Sequence, residues 1–413
     1  MSNKWYKLDN AAKIFPPIMD KYDPKVFRFS VSLKETIDKT TLEKALAITL
    51  IDFPIFNSIL KKGIFWYYLE ESDILPKVEL ETKSPCAKMG DGLLYRVNYY
   101  KKRINLEVYH ALTDGTGTLM FTKNLIINYL NLYYKLRSNE YVDESSELEK
   151  TDDSFKRYHE RIFKRALKNK EIAFKLKGVK YKEDQLRIIE GKISTKEMLS
   201  LSKKYNVSLT VYLTSILIDS IGKTMSLKER KKPIVVTIPV NLRNYYPSFT
   251  VRNFFSTVTI KYKYKSDSLE DIISVVEKGF HDNLTKENIN NKMNSMAELE
   301  NIFIVRLIPI FVKNFILKYS YKLANLFQTM TLSNIGVIKF PKTYEEYIDY
   351  FSVYISTGTI QVCLCSLNDN LVITFTSHFI ESEIEKNFFR SITKSGVNVE
   401  ITTNNIGEDE TNE

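Results

Sequence analysis

A strand followed by a helix opens this chain twice, with a charged stretch between the two occurrences. That repetition narrows the fold more than any other feature. Val26–Leu33 alternates, with Phe27, Phe29, Val31 and Leu33 on one side and Arg28, Ser30 and Ser32 on the other, as in a strand half-buried on one face. After Asp38 and Lys39, residues Leu42, Ala45, Leu46 and Leu50 recur at helical spacing. The second occurrence places a strand at 187–193, a capped helix start at Ser194–Glu197 and a strongly apolar helix from about 207 to 221. Between them, residues 137–185 are polar and charged, the natural crossover between two halves. A chain of 413 residues also exceeds the usual size of one compact core. The expectation is an α/β protein with mixed sheets, divided into 1–178 and 179–403, with 404–413 as a frayed tail.

Further elements fill each half. In the first, strands are expected at 65–69, 93–100 and 104–110, and a long helix at 116–134. In the second, strands are expected at 234–238, 254–264, near 329–335, at 350–365 and 371–379, and at 397–401. An apolar helix is read at 302–325 and another at 384–394. The 302–317 stretch carries Arg306, Pro309, Lys313 and Asn314, and is too short and too charged to span a bilayer; a helix packed on the core is expected there, with contact to lipid or a lipidic substrate as the lesser alternative. The N-terminus has Lys4, Lys7, Asp9 and Lys13 breaking any apolar run, so no secretory leader is read. Three cysteines, Cys86, Cys363 and Cys365, are too few for a disulfide framework and lack zinc-ligand spacing, so no metal and a reducing, cytoplasmic setting are expected.

The net charge of +10 suits phosphate-bearing ligands, nucleic acid or an anionic membrane without choosing among them. The tyrosines lie mostly in apolar patterns, which disfavours a nucleic-acid surface of basic residues interleaved with exposed aromatics. Lys228, Arg230, Lys231 and Lys232 form a basic cluster, read as a solvated loop, with contact to a ligand's phosphates as the lesser alternative. Gly222-Lys223-Thr224 lacks the upstream glycine of a phosphate loop. His159 and His281 are read as surface residues.

Chemistry concentrates at Glu107-Val108-Tyr109-His110-Ala111-Leu112-Thr113-Asp114-Gly115. Parity puts His110 on the face of Ile104, Leu106 and Val108, pointing inward at a strand end. Asp114-Gly115 is a turn signal, and a helix begins just after it. A histidine held by a tight turn at a strand end is the rigid placement a general base requires. Taken alone, the same pattern also fits a satisfied core histidine.

The segment resembles the HxxxDG motif of the chloramphenicol-acetyltransferase-like (CAT-like) superfamily of acyl-CoA-dependent acyltransferases and peptide-synthetase condensation domains. The likeness extends over most of the chain. FRFSVSLKETIDKTTLEKAL, FPIFNSIL and FWYYLE resemble the family's opening, and IPVNLRNYYPSFTVRNFFSTVTI and TLSNIGVI resemble its tunnel-lining segments. Bacterial alcohol acetyltransferase-like proteins are nearest in character. The resemblance implies two CAT-like subdomains in pseudo-repeat around a central active-site tunnel. His110 would be the catalytic base for acyl transfer from an acyl-CoA co-substrate, acetyl-CoA foremost, to a small-molecule alcohol, lipidic hydroxyls included. The phosphates of CoA then become the expected partner of the basic charge. It also implies that Asp114 is structural and pairs with an arginine, for which Arg28 is favoured over Arg243, while Gly115 completes the turn. Ser256, Asn253 and Ser333 become the candidates for the oxyanion donor. Residues that bind the co-substrate are not read. A monomer is expected from the length.

Two departures matter. Tyr109 stands where many members have a second histidine, which disfavours a condensation domain, and the DFGWG element of the plant enzymes is absent. Two competing readings stand beside the first: transfer from a carrier-protein thioester, and a catalytically silent member that binds an acyl ligand or a partner protein.

Overall fold

The computed structural model describes residues 4–136, 145–160, 171–183, 185–301 and 307–404. The first half contributes β1 (Trp5–Lys7), α1 (Phe15–Ile18), β2 (Val26–Leu33), α2 (Lys39–Asp52), β3 (Ser58–Lys62), β4 (Tyr67–Glu71), β5 (Val78–Leu80), β6 (Tyr95–Tyr100), β7 (Arg103–Tyr109) and α3 (Gly115–Tyr134). The second contributes β8 (Arg187–Ser194), α4 (Leu209–Thr224), β9 (Ile234–Asn241), β10 (Phe255–Tyr262), α5 (Ile310–Asn325) and β11 (Met330–Ile338). It closes with β12 (Ile348–Ile355), β13 (Ile360–Leu367), β14 (Asn370–Ser377), α6 (Glu383–Lys394) and β15 (Glu400–Thr403).

Among the described residues, three sheets result, in the orders β1-β4-β3, β12-β2-β7-β6-β5 and β10-β9-β11-β13-β14-β8-β15. Parallel and antiparallel pairs mix, as in β11 beside β13 and β13 beside β14. The α/β class with mixed sheets is therefore as expected. The capped helix start expected at Ser194 is present, its Oγ accepting from the Glu197 amide at 3.3 Å; Asp38, for which no cap was read, caps α2.

The stretch 350–365, read as one strand, is two strands in two different sheets. β12 pairs with β2 in the five-stranded sheet, then Ser356-Thr357-Gly358-Thr359 turns the chain and β13 enters the seven-stranded sheet. A strand from beyond residue 179 thus completes the sheet of the first half. The two faces of β13 divide the interior: Val362 and Leu364 belong to one core, Cys363, Cys365 and Leu367 to the other.

The polar side of β2 also departs from expectation. Arg28 and Ser30 are buried rather than solvated, because the sheet is covered on both faces. The apolar helix read at 302–325 is described from Ile310; residues 302–306 lie outside the described residues, as do 405–413 of the expected tail. Sequence reading missed β1, β3 and β5, which are short. Among the described residues, no helix is long and apolar enough to cross a membrane.

Candidate active site

β7 ends at Tyr109, and the His110 amide donates to the Lys25 carbonyl at 2.8 Å, so the imidazole leaves the sheet edge on a fixed backbone. Its ring lies among three phenylalanines. Phe15 of α1 stacks on it at 4.3 Å between centroids, Phe27 of β2 lies 4.9 Å away and Phe255 of β10 5.7 Å away. Burial lowers the imidazole pKa below the ordinary histidine value, which favours the neutral ring.

The tautomer follows from Asn253. Its Nδ2 donates to the His110 carbonyl at 3.1 Å and to Asp9 Oδ2 at 3.2 Å, and a carbonyl oxygen can only accept. Its Oδ1 therefore faces His110 Nδ1 at 3.0 Å as an acceptor, which places the ring proton on Nδ1. Nε2 is left with its lone pair, the form a general base requires. Both amide hydrogens of Asn253 are already committed, which removes it from the oxyanion-donor candidates and makes it a partner of the imidazole. Asp9 anchors this arrangement from the N-terminus, also accepting from the Asn253 amide at 3.2 Å and the Ala12 amide at 2.7 Å. Burial pushes its carboxyl up to about 6, although the nearby Arg252 guanidinium opposes the rise. Nothing in the local sequence pattern marked Asp9.

Asp114 is the N-cap of α3. Oδ1 accepts from the Gly117 amide at 2.9 Å and Oδ2 from the Phe254 amide at 2.8 Å. Its arginine partner is Arg243, whose Nη1 lies 2.8 Å from Oδ2; the expectation of Arg28 was wrong. The reason lies in strand parity. Arg28 points to the face of β2 opposite Phe27, where it meets Glu107 across the β2–β7 pair at 2.8 Å and also Glu81. That face holds a charge cluster in which buried Arg28 and Glu107 are joined by half-buried Arg96 and Arg103. Arg243 also donates to the carbonyls of Thr250 and Arg252 at 2.8 and 2.7 Å. One guanidinium therefore shapes the segment that carries Asn253.

Gly115 opens α3, with Ile335 close by: a Cβ there would lie 3.1 Å from its Cδ1. The stricter glycine is Gly117, where a Cβ would stand 2.0 Å from the Val251 carbonyl oxygen. Of the other oxyanion candidates, Ser256 has the parity of Val258 and Ile260 and so faces the second-half core, away from Phe255 and His110. Ser333, half-buried on β11, lies on the face opposite core residue Leu332, two residues before Ile335.

Two cavities flank the segment that covers the imidazole. One of about 930 Å³ meets Leu8, Asn10 and Lys13; another of about 610 Å³ meets Met19, Tyr22 and His378. His110 lines neither, and Phe15 stacks on one face of its ring. A third, of about 890 Å³, lies against the Arg28–Glu81 charge cluster. The basic cluster at 228–232 lines none of the three, and Arg230 is held at Ser266 Oγ, 2.6 Å away. His281 is exposed as expected, whereas His159 is half-buried with Nε2 2.9 Å from Glu298.

No protein-family model and no curated protein matches the sequence. Solved structures do match in shape. Polyketide synthase associated protein 5 from Mycobacterium tuberculosis superposes with a TM-score of 0.64 at 13% identity, covering 94% of this chain and 96% of its own. TRI101 of F. sporotrichioides, complexed with coenzyme A and T-2, gives 0.63 at 10% identity, covering 96% and 99%. The first condensation domain of the CDA synthetase gives 0.60 at 10%, covering 94% and 95%. The chain has the CAT-like fold that these three structures share.

Proposed function

We propose that this protein is an acyl-CoA-dependent O-acyltransferase, with acetyl-CoA the foremost donor and an alcohol the acceptor. The observation that carries the reading is the 3.0 Å contact between Asn253 Oδ1 and His110 Nδ1, which leaves Nε2 of a neutral imidazole as a base. The CoA bound to a structure of the same fold supports the choice of donor.

In this reading Nε2 takes the proton of the acceptor hydroxyl as its oxygen bonds to the thioester carbonyl carbon. The tetrahedral intermediate then expels the thiolate. The C–S bond breaks, the proton passes from Nε2 to the sulfur, and the ester and free CoA leave. No acyl-enzyme forms, so no nucleophilic serine or cysteine is required. Of the oxyanion candidates, Ser333 is retained for the carbonyl oxygen, on the β11 face that also carries Ile335 beside α3. Asp114, Arg243 and Asp9 are positioning residues: they hold the 250–254 segment and through it Asn253.

Purified protein incubated with acetyl-CoA and a panel of alcohols is expected to release free thiol. His110→Ala should lower the rate by about a hundredfold or more. The condensation-domain neighbour makes carrier-bound thioesters the second donor class to include. Wild type and variant equally inert across CoA and carrier-bound donors would overturn the enzyme reading.

A further inference from the structure

The helix α5 presents an apolar, basic surface that the acyl-transfer reading does not use. Its inward face is fastened to the β3–β4 hairpin. The Ile310 amide donates to the Ile64 carbonyl at 2.9 Å, Lys313 Nζ to the Phe65 carbonyl at 3.0 Å, and Asn314 Nδ2 to the Tyr67 hydroxyl at 2.9 Å. Lys313 also sits 3.8 Å above the Trp66 ring. Helix and hairpin tip therefore form one fixed platform.

The outward face of that platform is apolar. Phe311, Phe315 and Tyr319 recur at a spacing of four along one side of α5 and are 68%, 74% and 58% exposed. Ile64, at the hairpin tip, is 75% exposed. Large aromatic side chains in a row cost free energy in water, and such patches mark interaction surfaces. Lys318 and Lys322 project from the same side of the helix, and exposed Lys62 precedes the hairpin tip. The chain has no Asp or Glu between Asn301 and Tyr344.

We propose that this face docks on an anionic lipid bilayer. Phe311 and Phe315 would enter the acyl boundary, Tyr319 would sit at headgroup depth, and Lys318 and Lys322 would extend to lipid phosphates. Charge complementarity selects this occupant. A second copy of the same face would bring lysines against lysines on a chain already at +10, whereas an anionic headgroup layer neutralises them. Binding in this way requires no acyl transfer, so it stands or falls separately from the proposed reaction. The platform also adjoins the site: α1, which carries Phe15 over His110, packs against α5.

The test is co-sedimentation of the full chain with vesicles of phosphatidylcholine alone and of an equal mixture with phosphatidylglycerol. Wild type should pellet with the anionic vesicles and less with the neutral ones, and added salt should release it. Lys318→Glu/Lys322→Glu should weaken binding by on the order of thirtyfold or more. Phe311→Ser/Phe315→Ser should weaken it by about a hundredfold or more. All four residues are exposed, so circular dichroism should match wild type for both variants. No binding, equal binding to both vesicle types, or variants that bind like wild type would overturn the proposal. So would a concentration-dependent dimer that Phe311→Ser/Phe315→Ser abolishes, because the face would then be an interface between copies.

Discussion

Asn253 has two amide hydrogens and spends both on oxygen acceptors, and this determines which nitrogen of His110 is basic. The stacked Phe15 ring excludes water from one face of the imidazole, and with Phe27 and Phe255 it makes protonation costly. The unfolded chain binds the proton near the ordinary histidine pKa of about 6.5 and the folded protein only below that value. His110 therefore stays a competent base to lower pH than a free histidine, while its contribution to folding stability is lost as pH falls below about 6.5. Ring-carbon NMR of the four histidines should place the His110 titration below 6.5, and Phe15→Ala should raise it towards that value. A titration unchanged in Phe15→Ala would mean that the stacked ring does not set the base. The strand parity that turned His110 inward was legible in the sequence, since alternation is local. The acceptor opposite its Nδ1 was not, because Asn253 lies 143 residues away.

At the level of elements, the decisive unit is the start of α3. Asp114 caps the helix, pairs with Arg243 and receives the Phe254 amide, so one carboxylate ties a first-half helix to the second-half segment 250–254. Both charges are buried, and breaking such a pair from one side costs about 3–5 kcal/mol. Asp114→Asn is expected to give lower soluble yield, a lower melting temperature and reduced turnover together. Gly117→Ala should destabilise through a different cause, a methyl group driven against the Val251 carbonyl, by about 1–3 kcal/mol. Thermal denaturation of the two variants checks both. An Asp114→Asn protein with wild-type stability and no turnover would require a direct chemical role for Asp114. The helix start could be read from the DG turn. The favoured partner, Arg28, was wrong because a strand arginine near the motif in sequence points to the opposite face of its sheet, into the Glu107 and Glu81 charges.

For the whole molecule, the notable fact is that neither half owns its sheet or its core outright. β12 follows residue 179 by a long interval yet pairs with β2, and Cys363 and Cys365 of β13 fill the first-half core. A fragment of residues 1–178 would lack β12, leaving β2 as an open edge. Expressed alone, it should be insoluble or lack near-ultraviolet ellipticity, and co-expression with 179–413 should recover a soluble complex. A cooperative thermal transition of 1–178 by itself would show the halves to be independent.

By itself the sequence determined the features set by neighbours along the chain. These are the alternating strands, the amphipathic helices, the cap at Ser194, and the histidine held between a strand end and a DG turn. Each follows from a period of two or 3.6 residues, or from a turn that the side chains themselves form. Only the tertiary structure decided that β12 crosses into the other half, that Arg243 rather than Arg28 meets Asp114, and that Asn253 and Asp9 stand behind the imidazole. Arg243 and Asp114 are 129 residues apart, and Asn253 and Asp9 are 244 apart. Contacts at that separation depend on where two sheets come to rest against a shared core, which no local pattern encodes.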